Sequence, residues 1–165
     1  MTGTEAATVA TPAGPFTVVV ADGAVIASGW TTDLATLWCA GDVTRRRDLG
    51  PVTAAVAAYL DGDVAAIDDV PVHQTSGPYI EHAWAVLRAV PPGEPLTYTA
   101  FAARTGRPAA VRAAGSACAR NRAALFVPCH RVVGTDGTLR GFRWGLPVKR
   151  WLLAHEAGAV RDSLA

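Results

Sequence analysis

The chain has 165 residues, half of them hydrophobic, with fifteen Lys and Arg against fourteen Asp and Glu for a net charge of +1. That is enough apolar material to bury one core or two small ones, and too much for a disordered chain. No run reaches the roughly 18 apolar residues of a membrane helix, the opening MTGTEAATVATPAGP lacks the basic-then-apolar order of a secretory leader, and Cys39, Cys118 and Cys129 form neither a disulfide framework nor a zinc cluster; a reducing, cytoplasmic setting with no metal is expected.

Phe16–Val20 and Ala24–Ser28 are β-prone runs around Ala21-Asp22-Gly23, and Asp-Gly between such runs signals a hairpin. Residues 29–50 give no clear pattern, and Arg45-Arg46-Arg47 reads as a solvated loop. Pro51–Leu60 reads as a helix with Pro in its first turn. Val64–Val72 reads as a further strand. Ser76-Gly77-Pro78 opens a helix over Tyr79–Ala89, whose Ile80, Ala83, Trp84 and Leu87 recur at helical spacing. Pro91-Pro92-Gly93 ends it. Thr97 is placed as the N-cap of a helix through Arg104; Gly106 breaks it, and Pro108 begins another running to Arg120. Two short helices joined by a Gly-containing turn have helix-turn-helix proportions.

In that second helix the 100° rotation per residue puts Val111, Ala114, Gly115 and Cys118 on one face, expected to be the packed one. Arg112, Ser116, Ala119 and Arg120 fall on the other. A mid-helix Gly costs about 1 kcal/mol relative to Ala, so Gly115 points to close packing. Trp30, Trp38, Trp84 and Trp151 are expected in the core, and His73, His82 and His155 in structural or surface positions.

The near-neutral charge hides an asymmetry. Residues 1–96 carry four Arg against eleven acids, whereas residues 97–151 carry ten Lys and Arg against Asp136 alone. A segment with that balance is more readily explained by a polyanion such as nucleic acid than by a solvated face.

Cys39 and Cys118 fit the usual role of a buried cysteine as a small hydrophobe. Cys129, in VPCHRVV, differs: Pro128 constrains the backbone before it and His130 follows. A free thiol is mostly protonated at neutral pH, and an imidazole can take its proton, directly or through water. Such a base gains from a carboxylate on its other nitrogen. Glu156, in WLLAHEAG, is a candidate that sequence alone does not bring near His130.

These residues carry a resemblance. VPCHRVV resembles the active-site signature of the O6-alkylguanine-DNA alkyltransferases (methylated-DNA–protein-cysteine methyltransferases). Gly93–Tyr98 (GEPLTY) is similar to the segment bearing that family's tyrosine, Ala110–Gly115 (AVRAAG) to the start of its recognition helix, Asn121 to its hinge asparagine, and Trp151–Glu156 to the helix carrying its glutamate. Order and spacing agree over about residues 76–158, and TPAGPFTVVV resembles the family's first strand more weakly.

The resemblance implies an α/β N-terminal subdomain (residues 1–75; a small β-sheet with a helix, RNase H-like) and a mainly α C-terminal subdomain (76–165) with a winged helix-turn-helix. It implies a protein that acts once, moving the alkyl group from O6 of guanine in double-stranded DNA, and less readily from O4 of thymine, to Cys129 with no cofactor. His130 would be the base, Glu156 its orienting carboxylate, Asn121 the holder of the turn and Tyr98 the proton donor to the leaving guanine. Arg112 would fill the gap left by a flipped base, and Ser116 would face the minor groove. Val132, through its carbonyl, and Phe142, Arg143 and Trp144 would line the base pocket. Phe142 departs from the tyrosine of many relatives; Arg143-Trp144 departs from their Ser-Gly, and Trp144 would narrow the pocket against large alkyl groups. The remaining arginines would meet phosphates. A monomer without membrane association is expected, with cooperativity along DNA left open. The competing readings are a non-enzymatic binder of alkylated bases, which Cys129 disfavours; a helix-turn-helix regulator, which the Ala-rich helix disfavours; and a cysteine peptidase, which leaves the basic half unexplained.

Overall fold

Asp22 and Gly23 take left-handed backbone angles (φ 51° and 78°) and close a hairpin between strands β2 (Phe16–Ala21) and β3 (Ala24–Gly29). Two successive positive φ values are what a tight hairpin between right-twisted strands requires. This computed structural model describes residues 3–39 and 41–164. One strand precedes the hairpin, β1 (Thr4–Val9), so the sheet begins one strand earlier than TPAGPFTVVV indicates; Thr11–Gly14 is the turn from β1 into β2. β1 pairs antiparallel with β2 and parallel with β4 (Val43–Arg45), giving the order β3-β2-β1-β4. Arg45 therefore lies in a strand, while Arg46 pairs with Glu5. Phe16, Val18 and Val19 are fully buried, and Phe16 packs its ring against Trp30 and Phe126.

Helix α1 (Pro51–Leu60) has the bounds the sequence indicates and buries Val52, Val56 and Tyr59 as a helical stripe. Residues 63–70 form consecutive turns rather than a strand, with Ala66 N–H to Asp63 O, Asp68 N–H to Ala65 O and Val70 N–H to Ile67 O. The buried residues there, Val64, Ile67 and Val70, recur every third position. That is the period of turns, not of a half-buried strand. Only Val72 makes a single backbone bridge, to Val25. Trp38, expected in the core, is 38% exposed, with the Arg122 guanidinium over its ring.

The chain divides into two compact units: residues through Gln74 together with Arg122–Phe126, and Thr75–Asn121 together with Val127 onward. The short segment 122–126 joins the sheet unit through Ser28, whose N–H donates to Arg122 O and whose hydroxyl donates to Ala124 O, both at 2.8 Å. The second unit holds α2 (Pro78–Arg88), β5 (Leu96–Thr97), α3 (Tyr98–Arg104), α4 (Val111–Arg120), β6 (Val132–Val133) and α5 (Leu146–Leu164). Thr97 caps α3 by accepting from Ala100 N–H at 3.0 Å. Gly93, at φ 79°, closes the Pro-Pro-Gly turn where a Cβ would stand 2.9 Å from Val160.

Helix α4 starts at Val111, later than Pro108 indicates, and its packed face is rotated from the expected one. Ala114 and Ala117 are fully buried, and the Trp84 indole donates to Ala117 O at 2.8 Å, whereas Val111 is 36% exposed. The Trp84 contact selects Ala117, a small residue that periodicity alone does not distinguish. Overall this is a mixed α/β fold with a small sheet and five helices among the described residues. No described helix is long and apolar enough to cross a membrane.

Candidate active site

Pro128 lies inside the buried stretch 123–134, and Cys129–Arg131 form one tight turn within it, with Cys129 N–H donating to Val127 O and Arg131 N–H to Pro128 O. The chain then enters β6, which pairs parallel with β5, Leu96 opposite Val132 and Thr97 opposite Val133. This pairing fixes the start of α3, and with it Tyr98, relative to Cys129. Asn121, just past the end of α4, donates through Nδ2 to Val127 O at 2.8 Å and also hydrogen-bonds the Cys129 sulfur. It therefore holds both the thiol and the backbone that leads into the turn.

The Cys129 side chain is buried, and burial pushes its thiol pKa up; the Asn121 hydrogen bond and the Lys149 charge pull in the other direction. The resting thiol is therefore protonated at neutral pH, and a base is needed to make it a nucleophile. His130, fully buried, follows it. Its Nε2 lies 2.7 Å from Glu156 Oε2. A carboxylate only accepts, so Nε2 carries the proton and Nδ1 keeps the lone pair. Nδ1 is buried and has no hydrogen-bond partner among the described residues. It is the basic nitrogen.

Glu156 is itself held by Arg131, which donates from Nε to Oε1 at 2.8 Å and from Nη2 to Oε2 at 3.0 Å, and from Nη1 to Val90 O at 2.8 Å. Burial alone would raise the Glu156 pKa; the neighbouring His130 and Arg131 overcome it and hold the carboxyl well below its usual range. Arg131 is the residue sequence reading missed. It was counted among the cations available to phosphate, yet it and Lys149 are each only 1% exposed. The other eight cations of the 97–151 segment are exposed. The available signal was its place inside an otherwise apolar run, VPCHRVV.

Tyr98, at the first position of α3, has its pKa pushed up to about 12, first by burial and then by the thiols of Cys118 and Cys129. Its hydroxyl stays protonated and available as a donor at neutral pH. Cys118 is likewise raised, mainly by burial. The structure thus brings together Tyr98, Asn121, Cys129, His130 and Glu156. Arg112 and Ser116 stand apart, on the exposed side of α4, where the Ser116 hydroxyl donates to Arg112 O at 3.1 Å. Phe142, Arg143 and Trp144 lie in the loop before α5, with Gly145 N–H donating to Phe142 O and the Arg143 guanidinium 5.2 Å from the Trp144 ring centre. Val132 O is engaged by Lys149 Nζ at 2.7 Å.

Residues 78–158 match the family model described as the DNA-binding domain of 6-O-methylguanine DNA methyltransferase. That stretch carries the DNA-binding domain of the O6-alkylguanine-DNA alkyltransferase family. The methylated-DNA–protein-cysteine methyltransferase of Salmonella typhimurium is 41% identical over 107 residues, 65% of this chain and 63% of that protein. The aligned stretch thus spans just under two thirds of that relative. The Escherichia coli bifunctional transcriptional activator/DNA repair enzyme Ada is 51% identical over 77 residues, 47% of this chain and 22% of Ada. Among solved structures, the Mycobacterium tuberculosis O6-methylguanine methyltransferase superposes with a TM-score of 0.80 at 27% identity, covering 95% of this chain and 94% of that one. The alkyltransferase of the same organism in complex with DNA gives 0.80 at 28%, covering 94% of each chain.

Proposed function

We propose that this chain repairs DNA by direct reversal, taking the alkyl group of O6-alkylguanine in duplex DNA onto Cys129 once per molecule. The observation that carries the reading is the buried His130 ring: Nε2 committed to Glu156, Nδ1 left as a base next to a thiol that needs one. His130 takes the Cys129 proton through a bridging water. The thiolate attacks the alkyl carbon, the S–C bond forms as the O6–C bond breaks, and Tyr98 delivers its proton to N3 so that guanine leaves neutral. The thioether product is not cleaved by water, so the protein is consumed.

The target atom lies inside the duplex stack, so the base is flipped out, at a cost of a few kcal/mol. Helix α4, in a winged helix-turn-helix, enters the minor groove with Ser116 toward it and Arg112 in the vacated stack; the exposed arginines meet phosphates. The flipped base sits against Phe142, Arg143 and Trp144 with its amino group toward the Val132 and Cys129 carbonyls. The sheet unit is RNase H-like in this reading, the working form is a monomer, and O4-alkylthymine is a poorer substrate.

The test is intact-protein mass after mixing with a duplex containing one O6-methylguanine. One added methyl, mapped to Cys129 and absent in Cys129→Ser, is expected. No mass gain despite tight binding to the lesion would make this a recognition protein instead.

A further inference from the structure

A cavity of about 630 Å³ lies within the sheet unit, between the β2–β3 hairpin, the start of α1 and the turns that stand in place of the expected strand. It shares no residue with the cluster around Cys129. Its volume falls in the range of sites that hold ligands.

The lining is mostly apolar. The β2–β3 pairing slips between Val19 and Val20, and such a bulge re-aims the side chains beyond it. Val18 and Val19 are fully buried, whereas Val20 is half-buried and lines the cavity. Ala55 on α1 and Ala66 in the turns are half-buried beside it, with Val52 and Val70 buried deeper. Small side chains at 55 and 66 leave the space that larger ones would fill. Apolar surface gathered in one hollow marks a contact site.

The charge around the hollow is mostly of one sign. Glu5, Asp22 and Asp69 line it, and among the described residues no Lys, Arg or His does. Arg46 pairs with Glu5. Residues 1–74 carry nine Asp and Glu against three Arg, all three within 45–47. Such a surface repels DNA and draws in cationic partners.

We propose that this cavity docks a short basic segment of another protein, with one bulky aliphatic or aromatic side chain in the hollow and Lys or Arg beside it to meet Asp22 and Asp69. The buried anchor supplies affinity, and the charges supply steering and orientation. The docking does not depend on alkyl transfer at Cys129.

The test titrates the chain with the peptide acetyl-Lys-Leu-Phe-Lys-amide, followed by amide NMR, beside acetyl-Glu-Leu-Phe-Glu-amide and acetyl-Lys-Gly-Gly-Lys-amide. Saturable shifts at Val20, Val52, Ala66 and Val70 are expected with the first peptide only. Asp22→Asn and Asp69→Asn should each weaken its binding roughly threefold, the scale of one exposed ion pair. Ala66→Trp, which fills the hollow, should abolish the shifts; if it lacks a cooperative thermal melt, Ala55→Trp carries the comparison. Equal shifts with the Glu peptide, or Asn variants that bind as wild type, would mean apolar contact without charge selection and overturn the proposal. So would the absence of any saturable shift with the first peptide. Shifts at the same amides on concentrating the protein alone would make the occupant a second copy of this chain, and overturn it too.

Discussion

Arg131 grips Glu156 with two parallel hydrogen bonds, so the carboxylate that meets His130 is fixed before any substrate arrives. A bidentate guanidinium–carboxylate pair fixes direction as well as charge. The imidazole tautomer, and hence the basic nitrogen, follows from that grip.

Arg131→Met should therefore cost more than a surface arginine. It leaves Glu156 buried with only a neutral ring as partner, and breaking a buried pair costs about 3–5 kcal/mol. Urea denaturation should show the midpoint falling accordingly, and alkyl transfer should slow in the fraction that stays folded. A change within the range of an exposed salt bridge, at most about 1 kcal/mol, would mean that Glu156 does not depend on Arg131.

The pH dependence of stability should have two limbs. Glu156 is held below its usual range when folded, so the folded state binds fewer protons than the unfolded one near pH 4. Its contribution is present above the unfolded carboxylate pKa of about 4.3 and fades as pH falls through the lower folded value. Cys129 and Cys118 are raised when folded. Their contribution is full below the free-thiol pKa of about 8.5 and is lost as pH rises beyond it. Denaturation midpoints from acid to alkaline pH test both limbs; replacing Cys129 by Ser should flatten the alkaline one.

Asn121→Ala removes the hydrogen bonds to Val127 O and to the Cys129 sulfur. Leaving a buried acceptor unpaired costs about 1–3 kcal/mol. The sharper expectation concerns reactivity: without the amide, the thiolate loses a stabilising donor, so the pH at which iodoacetamide alkylates Cys129 should rise. An unmoved profile would confine Asn121 to holding the backbone.

Arg112 is exposed and outside the buried cluster, so Arg112→Ala should leave thermal stability unchanged. Repair of a lesion in duplex DNA should fall, while reaction with free O6-benzylguanine, which needs no flipping, should not. Equal losses on both substrates would remove Arg112 from the flipping step.

Trp144 gives the last comparison. If its ring narrows the pocket, the wild-type protein should transfer methyl much faster than benzyl, and Trp144→Ala should shrink that ratio. A wild-type ratio near unity would count against the narrowing.

Local signals led to the right elements where one residue type had one job. Asp22-Gly23 marked the hairpin, Thr97 capped α3, and Pro51 opened α1. The reading failed where tertiary contacts decided. Val64–Val72 is apolar enough for a strand, yet its buried residues follow the three-residue period of turns. β1 (TEAATV) is polar at its start and carries two alanines at its centre, and its pairing with β2 and β4 makes it a strand. The Cys129-His130 dipeptide and Glu156 were legible through order and spacing. Arg131 and Lys149 were not, because a basic residue counts the same in a charge balance whether it faces water or a buried carboxylate. Local sequence records charge but not partner.

The return of residues 122–126 to the sheet unit also bears on how the molecule is made. Ser28 is synthesised early, but the carbonyls its N–H and hydroxyl hold at Arg122 and Ala124 leave the ribosome only after most of the chain has. Emerging domains usually complete themselves in order, from the N-terminus. Here the first unit cannot close until the segment leading directly into Cys129 exists. Cys129 and the segment that completes the sheet unit therefore leave the ribosome together, late in synthesis, and a chain stalled before residue 122 has neither.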